Sequence, residues 1–219
     1  MRYGKEEIRR AMLLYAVTDR RWLREGETLK SVCRRVLENG ATFVQLREKD
    51  LPAAEIVREA EELRDLSRKY RVPFVVNDSV EIALQSGADG VHVGQSDIRG
   101  RDIRALLGPE RILGMTARTV EEATAAQKAG ADYIGVGSVF STGTKKDARP
   151  MSRETLAAIR AAVSIPIVAI GGICAGNILE LTGSGVDGAA VVSGIFGADD
   201  PAAAAAELAA LAKEMAGRG

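Results

Sequence analysis

TVEEATAAQKAGADYIGVGSVF, residues 119 to 140, carries the pattern on which the fold turns. Thr119 precedes an alanine-rich segment and Glu122 follows three positions on, the spacing of a capping box that opens a helix. Gly130 closes that helix, and ADYIGVGSVF (131 to 140) follows at once as a small-residue, β-branched run that reads as a buried strand. The same passage of helix, glycine, small residue, aspartate and strand recurs at Gly87-Ala88-Asp89 and at Gly185-Val186-Asp187. A unit that repeats in this way is a βα module, and its neighbours decide how many modules there are.

Outward from that stretch, apolar runs ended by turn-prone residues predict strands over 13–19, 41–49, 72–78, 88–97, 111–117, 165–172 and 186–196. Between them, stripes of 3.6-residue period predict helices over 28–38, 52–70, 81–87, 102–108, 152–163 and 176–185. A last helix starts at Pro201, and a short charged helix spans 5–10. Eight strands, each followed by a helix and joined by short connections, predict a parallel sheet buried on both faces. Eight such units in 219 residues point to a closed (β/α)8 TIM barrel, a single domain over 1–219 with the charged helix ahead of its first strand. A doubly wound open sheet fits less well, because no GxGxxG follows the first strand.

Thirty basic residues balance thirty acidic ones, which argues against nucleic-acid or anionic-membrane binding driven by overall charge. Cys33 and Cys174 stand far apart and belong to no metal-ligand spacing, so they read as free thiols of a reducing compartment. No apolar run approaches the roughly 18 residues of a membrane span, and MRYGKEEIRRAM is too charged for the apolar segment of a signal peptide. The expectation is a soluble, cytoplasmic protein; a homo-oligomer is left open.

In a barrel of this kind the chemistry collects at the C-terminal ends of the strands. Strand 2 offers Gln45, Arg47 and Lys49, which alternation places on one side. Strand 3 ends in Asn77-Asp78, and strand 4 in Gln95, Ser96 and Asp97. Each of Asp78 and Asp97 alone suits the capping of the helix it precedes, but as a pair beside cations they suit a Mg2+ held by one or two carboxylates plus substrate phosphate oxygens. Strand 5 ends at Thr116. After strand 6 come Thr142, Gly143, Thr144, Lys145 and Lys146, the hydroxyls, glycine and ammonium groups of a phosphate site or of a solvated turn. Strands 7 and 8 end in Gly171-Gly172 and Val192-Ser193-Gly194, where this fold commonly binds phosphate. His92, the lone histidine, sits within strand 4 and reads as an interior group rather than a general base. No Ser-His-Asp or Cys-His set is apparent. What remains is equipment for holding phosphates and a departing pyrophosphate.

QLREK at 45–49, ND at 77–78, HVGQSD at 92–97, TGTKKD at 142–147, GGI at 171–173 and VVS at 191–193 follow one another as they do in a known family. Over essentially its whole length the sequence resembles the thiamine-phosphate synthases. The resemblance implies condensation of a hydroxymethylpyrimidine pyrophosphate with a thiazole phosphate, carboxylated or aromatic, releasing pyrophosphate by a dissociative route. It implies that Gln45, Leu46, Arg47, Glu48, Lys49, Asn77, Thr116 and Lys145 bind the pyrimidine pyrophosphate, with Arg47, Lys49 and Lys145 as the catalytic cations. Asp78 and Asp97 would hold one Mg2+, and Thr142, Gly143, Thr144, Gly172, Val192 and Ser193 would bind the thiazole phosphate.

The sequence departs from the family at Thr116, where serine is commoner, at Arg118, often histidine, and at Ser138 and Ser141, often proline. Two rivals share the fold. A thiazole tautomerase would use a histidine near the end of strand 5, where this chain has Arg118. A non-catalytic phosphate-binding regulator would have lost part of the metal and pyrophosphate set, which this chain keeps.

Overall fold

The computed structural model describes residues 3–98, 100–141 and 150–217. Its parallel strands are β1 (Leu14–Val17), β2 (Phe43–Leu46), β3 (Phe74–Asn77), β4 (Gly90–Val93), β5 (Ile112–Ala117), β6 (Tyr133–Gly137), β7 (Ile167–Ile170) and β8 (Gly188–Val191). They pair in sequence order, and β8 returns to β1 through Leu14–Ala189 and Ala16–Val191, so the barrel is closed. The helices are α1 (Lys5–Ala11), α2 (Leu29–Glu38), α3 (Ala53–Tyr70), α4 (Val80–Ser86), α5 (Gln95–Ile98), α6 (Ile103–Leu107), α7 (Val120–Lys128), α8 (Arg153–Ala162), α9 (Ser193–Phe196) and α10 (Pro201–Gly217). No described helix is long and apolar enough to cross a membrane.

Strand alternation splits the core in two. Val44, Leu46, Val76, Val91 and Val93 point outward and join the helix faces, including Val32, Val36 and Leu63, in one continuous layer. Tyr15, Phe43, Val75, Ile112, Tyr133 and Val168 point inward and fill the lower barrel. Ile8 and Met12, from α1 and its C-terminal cap, close that end from below. Buried apolar area of this kind supplies the main favourable contribution, about 1.5–3 kcal/mol for each large side chain.

The repeated hinge has a physical role. At Gly87, Gly130 and Gly185 φ is 65°, 83° and 79°, a left-handed conformation in which a side chain would be strained, and at Gly87 and Gly130 it follows a helix. The aspartate two residues on pairs reciprocally with a residue at the start of the preceding strand. The Asp132 N–H donates to the Leu113 carbonyl at 2.7 Å, and the Leu113 N–H donates to Asp132 Oδ2 at 2.8 Å. Asp89 does the same with Phe74, and Asp187 with Ile167. Gly40-Ala41-Thr42 is a fourth copy: Gly40 has φ 103°, and Thr42 Oγ1 accepts from the Leu14 N–H at 2.9 Å. Every even-numbered strand is thus preceded by one clamp.

The expected elements form, with four differences. Strands stop where their neighbours stop pairing, so β2 ends at Leu46 and leaves 47–49 beyond the sheet. Residues 95–97 and 193–196, expected within strands, belong to the single helical turns α5 and α9. The segment 176–185 forms a 3-10 turn at Ile178–Leu181 rather than an α-helix. Thr119 caps α7 by accepting from the Glu122 N–H, but Glu122 Oε2 accepts from the Arg118 N–H at 2.6 Å, so the reciprocal box does not close.

Candidate active site

Above the apolar plug, the inward-facing residues turn polar and the barrel opens into a cavity of about 130 Å³. Tyr15 and Val17 of β1, Gln45 and Arg47 from β2, Asn77 of β3, His92 of β4 and Thr116 of β5 line one side. Gly135, Gly137 and Ser138 from β6, Gly171 and Gly172 after β7, and Val192 and Ser193 after β8 line the other. Period-2 alternation explains the set: each strand contributes its last inward-facing positions to the mouth.

A hydrogen-bonded chain crosses the cavity floor. Gln45 Nε2 donates to the Tyr15 hydroxyl at 2.6 Å, and Tyr15 meets the Tyr133 hydroxyl at 2.8 Å. Tyr133 lies 3.0 Å from His92 Nδ1, and His92 Nε2 lies 3.1 Å from Thr116 Oγ1. Burial pushes both phenols well above the ordinary tyrosine value, so both stay protonated.

Cations gather on the β1–β2 side. The Arg47 backbone N–H donates to Thr18 Oγ1 at 3.0 Å, and its guanidinium stands 4.0 Å from Asp19 Oδ2. Asp19 is buried, yet the Arg21 guanidinium hydrogen-bonded to it holds its carboxyl below the ordinary value, with Arg47 adding to the effect. Arg118 also lines the cavity. At the rim Lys49 Nζ lies 3.7 Å from Asp78 Oδ2, both side chains partly in solvent. Asp78 is left-handed (φ 67°), and its N–H donates to the His92 carbonyl at 2.8 Å. Asp97 Oδ2 accepts from the Gly94 N–H at 2.8 Å.

Two carboxylates on adjacent strand ends suit an octahedral hard cation that keeps waters and takes phosphate oxygens. No cluster of three potential protein ligands occurs among the described residues; a Mg2+ bound by two carboxylates and substrate does not need one.

The opposite wall is built for close backbone approach. A Cβ on Gly171 would meet Ser138 Oγ at 2.1 Å, and one on Gly172 the Ser141 carbonyl oxygen at 2.3 Å. Both glycines have positive φ, 105° and 68°. Tight packing therefore requires them whatever they bind. The Gly172 carbonyl accepts from Asn177 Nδ2 at 2.9 Å, which fixes the turn.

Of the residues expected in the site, Gln45, Arg47, Asn77, Thr116, Gly172, Val192 and Ser193 meet around one cavity. Lys49, Asp78 and Asp97 are not among its lining residues, and the first two pair at the rim. Two side chains turn away. Leu46 is fully buried in the outer layer, and Glu48 is buried against Arg20 at 2.5 Å. Burial opposes ionisation of Glu48, but the Arg20 hydrogen bond and the N–H groups of Lys49 and Asp50 outweigh it. Thr142, Gly143, Thr144 and Lys145 lie outside the described residues. Sequence reasoning missed Tyr15 and Tyr133, since an aromatic in an apolar strand reads as core; period 2 along the strands was the available signal.

Residues 14–195 match the family model described as thiamine monophosphate synthase. Among curated proteins, the thiamine-phosphate synthase of Moorella thermoacetica is 50% identical over 184 residues, 84% of this chain and 88% of that protein. That of Clostridium tetani is 46% identical over 195 residues, covering 89% and 93%. Among solved structures, thiamine phosphate pyrophosphorylase from Pyrococcus furiosus superposes with a TM-score of 0.86 at 41% identity, covering 95% of this chain and 98% of that one. With a family match over most of its length and a barrel of the same shape, the chain belongs to the thiamine monophosphate synthase family.

Proposed function

We propose that this protein is a thiamine-phosphate synthase, joining 4-amino-2-methyl-5-(diphosphooxymethyl)pyrimidine to a thiazole phosphate with release of pyrophosphate. The observation that carries the reading is a single cavity lined from two arcs of the barrel. Gln45, Arg47, Asn77 and Thr116 come from β2, β3 and β5, and Gly172, Val192 and Ser193 from the ends of β7 and β8, an arrangement that suits two substrates held with their reacting atoms between them.

The pyrimidine lies on the Gln45–Thr116 side and its diphosphate points toward Arg47 and Lys49, with Lys145 as the third cation. Mg2+, when bound by Asp78 and Asp97, offsets diphosphate charge. The C–O bond between the pyrimidine methylene and the diphosphate breaks with its electron pair leaving on oxygen. Arg47 and Lys49 stabilise the charge that develops there. The thiazole nitrogen then donates its lone pair to the methylene carbon and forms the C–N bond. Its phosphate is held by the backbone at Gly172 and Val192 and by Ser193. No covalent enzyme intermediate is needed; binding, orientation and electrostatics suffice.

The test supplies both phosphorylated halves with Mg2+ and measures thiamine phosphate and pyrophosphate. Equimolar appearance of the two is expected. Absence of both, with the thiazole substrate isomerised instead, would replace the synthase reading with a tautomerase.

A further inference from the structure

We propose that the chain Gln45–Tyr15–Tyr133–His92–Thr116 holds His92 as its Nε2–H tautomer and so turns the Thr116 hydroxyl into a hydrogen-bond donor aimed into the cavity. Each link follows from what the atoms can do. The Gln45 amide nitrogen can only donate, so the Tyr15 oxygen accepts from it at 2.6 Å. The Tyr15 proton then goes to the Tyr133 oxygen at 2.8 Å. Tyr133, having accepted, gives its own proton to His92 Nδ1 at 3.0 Å. An imidazole accepting at Nδ1 carries its proton on Nε2 and donates it to Thr116 Oγ1, 3.1 Å away. The Thr116 proton is left to point elsewhere, and Thr116 lines the cavity.

Running the chain backwards would point the Tyr15 proton at the Gln45 amide nitrogen. Both tyrosines are almost wholly buried, so that proton would give up the phenol acceptor it has at 2.8 Å.

The surrounding strands keep the joint open. A Cβ on Gly114 would lie 2.3 Å from the Tyr133 hydroxyl and 2.6 Å from His92 Nδ1. One on Gly135 would lie 3.1 Å from His92 Cε1. Glycine at these two inward-facing positions of β5 and β6 is what lets the phenol and imidazole meet. Tyr15 and Tyr133 are thus positioning residues, acting on the substrate through His92 and Thr116. Resting on the proposed function, the group that Thr116 faces is a lone-pair acceptor of the aminopyrimidine half, not an N–H.

His92 is the only histidine in the chain, so a protein labelled with 15N-histidine gives one imidazole signal set. Long-range 1H–15N correlation on the substrate-free protein at neutral pH should show a protonated Nε2 and a bare Nδ1. Tyr133→Phe should abolish that pure tautomer and lower kcat by about tenfold, the scale of one lost buried hydrogen bond, with a smaller change in KM. Should Tyr133→Phe not fold, the tautomer of the unaltered protein decides alone. An Nδ1–H or doubly protonated ring in the unaltered protein overturns the proposal, as does an unchanged tautomer in the folded tyrosine variant. The spectrum needs no turnover. An Nε2–H ring in a protein that makes no thiamine phosphate would sink the functional reading and leave the tautomer assignment standing.

Discussion

Asp78 shows how one residue trades conformation for charge. Its φ of 67° is left-handed, shared among described non-glycine residues only with Arg71 at the end of α3. Such a conformation costs on the order of 1 kcal/mol for a residue with a Cβ, somewhat less for aspartate. Glycine would remove that strain but add backbone freedom to the unfolded chain, and the two effects nearly cancel. Asp78→Gly is therefore expected to keep its unfolding free energy within about 1 kcal/mol while the Mg2+ concentration giving half-maximal rate rises at least about tenfold. A urea titration and a Mg2+ titration of the rate check the two halves separately. An unchanged Mg2+ requirement would remove Asp78 from the metal site. At this scale the sequence was informative wherever a polar residue ended an apolar strand, as at Gln45, Asn77 and Thr116. It was silent on Tyr15 and Tyr133, whose hydroxyls matter only because strands distant in sequence bring them within 2.8 Å.

The element that the sequence declared most openly is the hinge before the even-numbered strands. Three copies were legible as Gly-Ala-Asp or Gly-Val-Asp. The fourth, Gly40-Ala41-Thr42, was hidden because a threonine hydroxyl replaces the carboxylate while accepting the same backbone N–H. Strand ends were read too long at 47–49, 95–97 and 192–196. Their periodicity continues past the last paired residue, and only the neighbouring strand decides where pairing stops. The clamps sit at the N-terminal face, which in this fold serves stability rather than chemistry. Asp132→Ala leaves the Leu113 N–H without its acceptor and the Arg104 guanidinium without its 2.7 Å partner. A loss of about 1–3 kcal/mol in unfolding free energy is expected, with kcat unchanged. Asp132→Asn, which keeps an acceptor oxygen, should lose less. Equal losses in the two variants, by urea unfolding, would show that the clamp is not the Leu113 hydrogen bond.

For the molecule as a whole, thirty cations balance thirty anions at pH 7, and as pH falls each carboxyl contributes to the acid limb of its stability in the sense of its own shift. Two aspartates, one buried and one half-buried, should pull that limb in opposite directions. Asp19, at the mouth, has a carboxyl lowered from its ordinary 3.8 chiefly by the Arg21 hydrogen bond. The unfolded state then binds the proton more readily, so this contribution is complete above the unfolded value and is lost as pH falls through the lower folded one. Asp89, at the opposite face, is raised from 3.8 by burial, against the Phe74 N–H and the charges of Arg68 and Arg64. Here the folded state binds the proton more readily, and stability falls as pH rises from the unfolded value through the raised folded one. Asparagine keeps an acceptor oxygen at either position and does not titrate. The advantage of the unaltered protein over Asp19→Asn should therefore shrink toward acid pH, while its advantage over Asp89→Asn should grow. Urea midpoints for the three proteins at matched pH, from roughly 3 to 7, give both differences. Slopes of the same sign would mean that the two faces of the barrel do not hold their carboxyls in opposite senses.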